Sequence, residues 1–388
     1  MKRKVLFCAT VDYHFSAFHL PYLKWFKEQG WDVHVAASGT IELPFVDEKF
    51  NLPIQRSPFH RKNIAAYNQL KEVIDRNGYQ LIHCHTPMGG VLARLAARSA
   101  RQKGTKVIYT AHGFHFCKGA PIPNWMVYYP IERVLSYLTD SLITINEEDY
   151  KLATSHQFKA KQIEHVHGVG VDTERFTPVS NFHKEVLRAE HRYDNDAFLM
   201  FYAAEFNANK NQQLLIHALA HVKEHIPKAR LLLAGEGPLL EQSKQLSEQL
   251  DVISMIDFLG YRRDIESLLK MSDIVVASSK REGLPVNIME AMACGLPIIS
   301  SVNRGHIELV SDGVNGFTVV NDNFQDFGLK ILKLYNSVDM REKMGAASVK
   351  LVKKFSLDQV STEIKEVYSN YIAEESREAE SKYNRAYI

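Results

Sequence analysis

The stretch DIVVASSKREGLPVNIMEAMACGLPIISS, residues 273–301, contains two short apolar runs with one helix-forming segment between them. The segment starts near Pro285, whose missing N–H suits a first helical turn. It ends before Gly295, which can take the left-handed conformation that stops a helix. The apolar runs on either side have the length and the β-branched content of buried strands. The stretch therefore predicts one strand-helix-strand unit of a parallel sheet.

The same alternation continues along the whole chain. Strands are predicted at VLFCAT, VHVAAS, LIHCHT, VIYTAH and SLITIN in the first half, and at FLMFYAAE, LLLAGEG, IDFLG, DIVVASS and PIISS in the second. A polar stretch from about Val179 to Asp196 separates the two series. A chain of 388 residues also exceeds one ordinary core. The sequence predicts an α/β fold of two Rossmann-like, doubly wound domains that face each other across a cleft.

The first domain is predicted to span residues 1–180 and the second residues 181–356. A helix over about 357–388 can pack back on the first domain. Ligands of such sheets bind at the carboxyl ends of the strands, so the interdomain cleft is the expected site.

Composition excludes several classes of protein. No apolar run approaches the roughly 18 residues of a membrane span, and MKRKVLFCATVDYH turns polar too early for a signal peptide. The 4 cysteines lack CxxC spacing, which favours reduced thiols in the cytoplasm. Residues 1–180 carry 22 Lys and Arg against 16 Asp and Glu, a net charge of +6, while the remainder carries 25 against 29, a net charge of −4. The two domains should therefore meet different neighbours.

Motifs for metals and nicotinamide cofactors are weak. AGEGPL and HGVGVDT each contain a GxG without the third glycine of a dinucleotide fingerprint. The pairs His83 with His85 and His165 with His167 have no accompanying ligand set, and Asp194–Asp196 precedes a predicted strand, as a linker turn would. The sequence predicts no metal site.

A run of cations falls at helical spacing in the first domain: Arg94, Arg98 and Arg101, followed by Lys103 and Lys106. This face is either solvated or in contact with anionic lipid headgroups, which would fit the positive first domain. Aromatic side chains for stacking bases are missing there, so nucleic acid is not an expected partner.

Polar side chains follow several predicted strands at the expected ligand edge. His112 ends the strand VIYTAH, and Lys210 with Asn211 precedes a predicted helix, where a cation beside a helix N-terminus makes a phosphate site. Glu282 lies at a strand-to-helix turn, and Glu290 lies about two turns into a largely apolar helix. A buried carboxylate needs donors or must become neutral. Together these residues predict a pocket for a sugar that carries a diphosphate.

Glu282 and Glu290, within EGLPVNIMEAMACGLP, resemble the E-x7-E motif of family 4 retaining glycosyltransferases with the GT-B fold. TAHGFHF, GVGVDTERF, KNQQLLIHALAHV, LLLAGEGP, FLGYRRDI and DGVNGF extend the similarity over nearly the whole chain. The first-domain block with YYPIERVLSYLTDSLITINEEDY is most similar to the branch that builds bacterial capsular and extracellular polysaccharide.

The resemblance implies a role for each site residue. Glu290 matches the carboxylate that accepts hydrogen bonds from both ribose hydroxyls of the nucleotide. Lys210 matches the lysine on the diphosphate, Glu282 the carboxylate beside the transferred sugar, and His112 a histidine near an outer sugar hydroxyl. These last three form the expected catalytic set. The expected donor-binding set comprises Glu290 with Gly283, Leu284, Pro285, Asn211, Gly235, Tyr261 and Arg262.

The implied activity is transfer of a hexose from a nucleotide sugar, expected to be a UDP-sugar, to a lipid-linked glycan in exopolysaccharide or capsule biosynthesis. No permanently bound cofactor and no obligatory metal are implied. The expected partners are the acceptor, an anionic membrane surface reached through the N-terminal domain, and other polysaccharide-synthesis proteins. The expected location is the cytoplasmic side of the plasma membrane, with peripheral association.

Two positions depart from the family pattern. Glu205 stands where the family usually has an arginine that partners the lysine on the diphosphate, and ATVDYHFSAF lacks a glycine pair commonly found against the phosphates. Arg262, Arg263 or Arg281 could supply the missing charge. Because of these departures, an alternative function remains open, in which the chain is a catalytically degenerate scaffold protein of a polysaccharide assembly complex. A nucleotide-sugar epimerase is a third, less favoured alternative.

Overall fold

The computed structural model describes residues 2–320 and 323–386, and of residues 374–386 the backbone alone. The chain divides into two compact units, one made of Met1–Val169 with Asp358–Ile388 and the other of Gly170–Leu357. Each unit is a parallel sheet with helices on its faces, which confirms the predicted α/β fold class.

The first unit contains a seven-stranded sheet in the order β3-β2-β1-β4-β5-β6-β7, with every pair parallel. Its strands are β1 (Lys4–Val11), β2 (Asp32–Ser38), β3 (Glu48–Asn51), β4 (Leu81–His85), β5 (Lys106–Ala111), β6 (Ser141–Thr144) and β7 (Gln162–His165). The strand order reverses between β1 and β4, so the segments that follow these two strands diverge from one point of the sheet edge.

Helices of the first unit cover both faces of this sheet. They are α1 (Tyr13–Phe18), α2 (Leu20–Glu28), α3 (Lys62–Asn77), α4 (Pro87–Ala96), α5 (Arg98–Gln102), α6 (Ile122–Leu135), α7 (Glu147–Ser155) and, from the C-terminus, α16 (Leu357–Ala386). The central strands are apolar on both faces, as a sheet covered on both sides requires. Val5, Phe7 and Ile82, for example, are fully buried.

The second unit contains a six-stranded parallel sheet in the order β10-β9-β8-β11-β12-β13. Its strands are β8 (Phe198–Ala203), β9 (Ala229–Ala234), β10 (Ile256–Gly260), β11 (Ile274–Ala277), β12 (Ile298–Ser301) and β13 (Gly316–Val319). Its helices are α8 (Asn181–Glu190), α9 (Gln212–Val222), α10 (Leu240–Gln249), α11 (Ile265–Met271), α12 (Val286–Ala293), α13 (Arg304–Leu309), α14 (Phe324–Tyr335) and α15 (Val338–Val352). Here the order reverses between β8 and β11.

All ten predicted strands are present, and three more were not predicted. The missed strands β3, β7 and β13 have the sequences EKFN, QIEH and GFTV and are four residues long. Each lies at the edge of its sheet. β3 and β7 contain no buried residue, and none of the three strands has the apolar run that marks a central strand.

The C-terminal helix α16 covers one face of the first sheet. Val360, Ile364, Val367 and Tyr368 share one side of the helix and join the core formed with β1 and β2. The Tyr368 hydroxyl lies 2.6 Å from Nδ1 of His83 on β4. The sequence predicted a helix over about 357–388, and the helical backbone runs from Leu357 to Ala386.

The predicted basic face at Arg94 to Lys106 is wrong. Arg94 is 1% exposed, donates to Glu132 Oε2 at 2.9 Å, and lies 3.8 Å from the centre of the Tyr109 ring. Arg101 donates to both carboxylate oxygens of Asp140. The helix also breaks at Ala97, which removes the regular spacing on which the face depended. These arginines hold the first unit together by buried or half-buried ion pairs.

The polar stretch at residues 179–196, predicted to be a linker, is mostly the packed helix α8. Its Arg188 is buried and donates to Asp273 Oδ2 at 2.8 Å, and Lys184 donates to Asp273 Oδ1 at 2.7 Å. The polar composition therefore reflects an ion-paired helix. Within the described part of the chain, no helix combines the length and apolar character needed to cross a membrane.

We predict that Tyr368→Ala destabilises the first unit by about 3–5 kcal/mol, because it removes a fully buried ring that contacts Phe7, Trp25 and Phe26. Urea unfolding followed by tryptophan fluorescence measures this loss, since all 3 tryptophans lie in this unit. Tyr137→Ala is the control, because Tyr137 is 60% exposed and its loss should change stability by about 0.5 kcal/mol or less. Equal losses in the two variants would contradict the packing of α16.

Candidate active site

Lys210 and Glu282 meet at the point where the strand order of the second sheet reverses. Lys210 lies in the loop after β8 and Glu282 in the loop after β11, and these strands are neighbours. Lys210 Nζ donates to Glu282 Oε1 at 2.5 Å. Their side chains are 24% and 15% exposed, so the pair is partly shielded but still open to solvent. The carboxyl edge of the sheet thus carries a cation and an anion at its switch point.

Short hydrogen bonds hold these two loops together. Ser278 Oγ donates to the Lys210 carbonyl at 2.8 Å, and the Lys280 N–H donates to the Asn209 carbonyl at 2.8 Å. Asn209 Nδ2 in turn donates to the Arg281 carbonyl at 2.9 Å. These contacts fix the backbone on both sides of the ion pair, so the position of the ammonium group does not depend on the lysine side chain alone.

Asn211 ends the first loop and begins helix α9. Its φ of 54° and ψ of 44° place it in the left-handed region, where asparagine is tolerated better than most residues. Its side chain does not cap the helix. The Leu214 N–H donates to the Asn211 carbonyl at 3.1 Å, and no side-chain oxygen caps the other first-turn N–H groups of α9, which is the condition under which a helix N-terminus binds an anion.

The turn from Glu282 to Pro285 packs closely against helix α13. A Cβ placed on Gly305 would lie 2.7 Å from the Gly283 carbonyl oxygen, so only glycine allows this approach. Arg304 Nε donates to the Glu282 carbonyl at 3.0 Å. Pro285, predicted in the first turn of α12, is instead its N-cap with φ −78° and ψ 120°, and it provides no side-chain cap. Helix α12 also starts with uncapped N–H groups.

The Glu290 carboxylate lies in the second turn of α12 among apolar neighbours. Burial raises the pKa of Glu290 to about 7, and Arg175 opposes this shift. The carboxylate accepts no hydrogen bond from the described residues. A carboxylate without a hydrogen-bond donor either binds a proton near neutral pH or accepts hydrogen bonds from a bound ligand.

A cavity of about 680 Å³ borders the loop that follows β9. Gly235, Tyr261 and Arg262 line it together with Glu205. A Cβ on Gly235 would lie 2.1 Å from the Ala204 carbonyl oxygen, and its φ of 145° is open to glycine alone among common residues. Tyr261 is 70% exposed, so its ring is available to a ligand.

Charge in this cavity does not follow the family pattern. Glu205 is exposed and accepts a hydrogen bond from Asn207 Nδ2 at 3.0 Å. Arg262, which could replace the missing arginine, donates to Asp264 through Nε at 2.8 Å and through a second contact from its terminal nitrogen. Asp264 therefore neutralises most of the charge that Arg262 brings to the cavity.

His112 belongs to the first unit, where it follows β5. Burial lowers its pKa well below the ordinary value. Its Nε2 lies 3.4 Å from Nδ1 of His85, and His14 and His19 complete a group of four imidazoles. The sequence pointed to His85 only as the partner of His83 on a strand. His14 and His19 were missed because they lie in the segment after β1, far along the chain from the other two.

The first unit also has an apolar cavity of about 350 Å³ beside α6. Its wall includes Met88, Val91, Val127 and Ile131. Helix α6 continues this apolar surface outward, with Ile122, Met126, Val127, Ile131 and Val134 all exposed. Exposed apolar groups at this density on one helix mark a surface that meets an apolar partner. The sequence singled out this segment only for its family resemblance.

The second unit thus brings together most of the predicted donor residues. Lys210, Asn211, Glu282 and the turn to Pro285 meet at the switch point, Gly235, Tyr261 and Arg262 line the adjacent cavity, and Glu290 follows on α12. Ser278, Asn209 and Arg304 hold the loops of the site in place and were not predicted. Their side chains donate hydrogen bonds to backbone carbonyls of other loops, and no sequence motif marks such contacts.

Two family profiles match this chain. Residues 4–146 match the profile described as glycosyl transferase 4-like, and residues 183–351 match the profile described as glycosyl transferases group 1. Together they cover most of both units.

Relatives with known names extend this similarity. EpsD of Bacillus subtilis (strain 168), provisionally named a glycosyltransferase, is 51% identical over 378 residues, which are 97% of this chain and 99% of that protein. The UDP-Gal:alpha-D-GlcNAc-diphosphoundecaprenol alpha-1,3-galactosyltransferase of Escherichia coli is 26% identical over 317 residues, 80% of each chain.

Among solved structures, Anabaena Alr3699/HepE in complex with UDP and glucose superimposes with a TM-score of 0.76 at 20% identity. The match covers 95% of this chain and 100% of that one. This similarity establishes the fold. The two profiles and the 51% identity to EpsD over nearly the full length establish that the chain belongs to the family 4 glycosyltransferases with the GT-B fold and is a glycosyltransferase.

Proposed function

We propose that this glycosyltransferase retains the anomeric configuration and moves a hexose from a UDP-sugar to a lipid-linked glycan in exopolysaccharide biosynthesis. The observation that carries the proposal is Glu290, a half-buried carboxylate that accepts no hydrogen bond from the described residues. A vicinal diol supplies two donors with the spacing of one carboxylate. Ribose brings such a diol, so the nucleotide completes the hydrogen bonding that the fold leaves open.

Lys210 and the two uncapped helix starts form the diphosphate site in this proposal. The ammonium group supplies a localised positive charge, and the N–H groups of the first turns of α9 and α12 supply directed donors. Pro285 has no N–H, so donation beside it comes from Gly283, Leu284 and the first helical residues. The diphosphate competes with Glu282 for Lys210, and this exchange turns the carboxylate toward the sugar.

Transfer requires stabilisation of a leaving nucleoside diphosphate and of an oxocarbenium-like sugar. Lys210 and the helix N-termini stabilise the negative charge that develops on phosphate. Glu282 supplies negative charge near the sugar and positions it, with no covalent intermediate. The acceptor attacks on the face from which the diphosphate leaves, and a diphosphate oxygen takes the acceptor proton. His112, kept neutral by burial, hydrogen-bonds an outer hydroxyl of the sugar.

In our proposal, Glu205 weakens diphosphate binding but does not abolish it. Its carboxylate is exposed and hydrogen-bonded to Asn207, so water and the amide screen its charge from a bound phosphate. Lys210 then carries most of the electrostatic contribution alone. We therefore expect substitution of Lys210 to reduce diphosphate binding more than the same substitution would in a site where an arginine also contacts the diphosphate.

The acceptor proposal rests on the apolar cavity of the first unit and on the exposed apolar side of α6. A lipid-linked glycan presents an apolar chain next to a diphosphate, and the name of the Escherichia coli relative specifies a diphosphoundecaprenol acceptor. Met88, Val91, Val127 and Ile131 offer the apolar chain a wall. The exposed residues of α6 insert into the membrane interface where such an acceptor resides, and Lys118 and Arg133 nearby meet anionic headgroups.

We predict that UDP raises the thermal stability of the protein more than GDP or ADP does, by about 2.7 kcal/mol at 100 times its dissociation constant. Lys210→Ala and Glu290→Ala should each reduce this stabilisation, because they remove the diphosphate cation and the ribose acceptor. Differential scanning fluorimetry measures the shift. Lys244→Ala is the matched control, since Lys244 pairs with Glu241 on the surface of the same unit. Absence of a shift with all three nucleotides would favour the scaffold alternative.

Nucleotide binding should also depend on pH through Glu290. Because the pKa of Glu290 is raised to about 7 without ligand and the ribose hydroxyls favour the ionised form, binding releases a proton. Affinity for UDP-glucose should rise with pH up to about 7 and then level off. Calorimetry in buffers of different ionisation enthalpy counts the protons. Glu290→Gln should abolish this release, and a pH dependence unchanged by that substitution would exclude Glu290 as its source.

The membrane proposal gives a separate prediction. Full-length protein should sediment with vesicles that contain phosphatidylglycerol, and Met126→Glu/Val134→Glu should reduce the bound fraction several-fold by placing carboxylates at the apolar interface. Leu329→Glu/Val338→Glu, at exposed apolar positions of the second unit, is the matched control. If both double variants sediment with the vesicles to the same extent as the wild type, α6 does not contact the membrane.

A further inference from the structure

Four histidines of the first unit converge at the carboxyl edge of its sheet. His14 lies in α1 and His19 directly after it, His85 ends β4, and His112 follows β5. Strands β1, β4 and β5 are neighbours, so their following segments meet at one place. One ring nitrogen from each histidine lies within 4.8 Å of the corresponding atoms of the other three. We propose that His14, His19, His85 and His112 bind one divalent transition-metal ion of the zinc class.

The measured separations are close to those of a tetrahedral site. His14 Nε2 and His19 Nε2 are 3.1 Å apart, and His85 Nδ1 and His112 Nε2 are 3.4 Å apart. Zinc-nitrogen bonds of about 2.0–2.1 Å place neighbouring ligand atoms roughly 3.3–3.4 Å apart in a tetrahedron. The widest pairs, at up to 4.8 Å, need rotation of the rings toward the centre.

His14 Nε2 lies next to His19 Nε2, and His85 Nδ1 lies next to His112 Nε2, so the atoms without a partner are the second ring nitrogens of His19 and His85. His19 Nδ1 and His85 Nε2 are buried without a hydrogen-bond partner among the described residues. A buried polar atom without a hydrogen bond destabilises the fold. His83, next to the cluster, gives the contrast, because its Nδ1 meets the Tyr368 hydroxyl and its Nε2 meets Thr110 Oγ1. The protein itself therefore satisfies both ring nitrogens of His83, whereas His19 and His85 each keep one ring nitrogen without such a partner.

The chemistry of the four residues selects the class of ion. A metal ligand must be the neutral imidazole, in which one ring nitrogen keeps the lone pair that the ion binds. Four nitrogen ligands suit Zn²⁺, Co²⁺, Ni²⁺ or Cu²⁺, whereas Mg²⁺, Ca²⁺ and Mn²⁺ prefer oxygen. The placement of the four imidazoles carries this assignment independently of the proposed transfer reaction.

Cobalt titration of the untagged, full-length protein tests the proposal after treatment with a chelator and dialysis. We expect one tightly bound Co²⁺ per chain, with the intense visible absorption of tetrahedral coordination, and its displacement by Zn²⁺. His19→Gln and His85→Gln should each weaken Co²⁺ binding at least about tenfold, because each removes a ligand. His34→Gln is the matched control, since His34 is a buried histidine of the same unit that hydrogen-bonds Tyr79.

Three outcomes would overturn the proposal. The first is the absence of tight Co²⁺ or Zn²⁺ binding by folded wild-type protein, and this result needs no variant. The second is tight binding that persists in both His19→Gln and His85→Gln, which would assign the ion to other histidines among the 17 in the chain. Circular dichroism and tryptophan fluorescence verify the fold of each variant. A weak spectrum of octahedral type in the wild type would also exclude the four-nitrogen site.

Discussion

The reversal of strand order in each parallel sheet is the constraint on which the rest of the structure depends. Where the order reverses, the connections after two neighbouring strands leave in opposite directions and expose backbone groups at the carboxyl edge. In the second unit this happens between β8 and β11, and Lys210 and Glu282 are the residues delivered there. In the first unit it happens between β1 and β4, and the histidine cluster lies at that edge.

Both edges carry polar groups that the fold itself leaves unsatisfied. Glu290 is half-buried and accepts no hydrogen bond from the described residues, α9 and α12 start without side-chain caps, and His19 and His85 each bury an unpartnered ring nitrogen. Elsewhere buried charges are paired, as Arg94 is with Glu132 and Arg188 with Asp273. Unsatisfied groups lower stability, and at the strand ends they are positioned to receive a ligand.

Much of this protein follows from its sequence because its determinants are local. Alternating apolar runs and helical segments specify the α/β class. The EGLPVNIMEAMACGLP block specifies the family, because its spacing places Glu282 in a turn and Glu290 in the helix that follows. Nine of the ten predicted strands lie inside their sheets, where apolar runs reflect burial on both faces, and only β10 of the ten is an edge strand. The short edge strands β3, β7 and β13 have no such run, and their pairing comes from the neighbour each one meets.

Tertiary structure alone determined which residues pair with each charged side chain and which residues lie next to each histidine. Sequence spacing predicted a basic face at Arg94 and Arg101, but these side chains reach Glu132 and Asp140, 38 and 39 residues away. Likewise His14 and His112 are far apart along the chain and adjacent in space because β1, β4 and β5 are neighbours. Periodicity encodes which face of an element is buried, whereas ion pairing and side-chain clustering depend on contacts between elements distant in sequence, which no local pattern records.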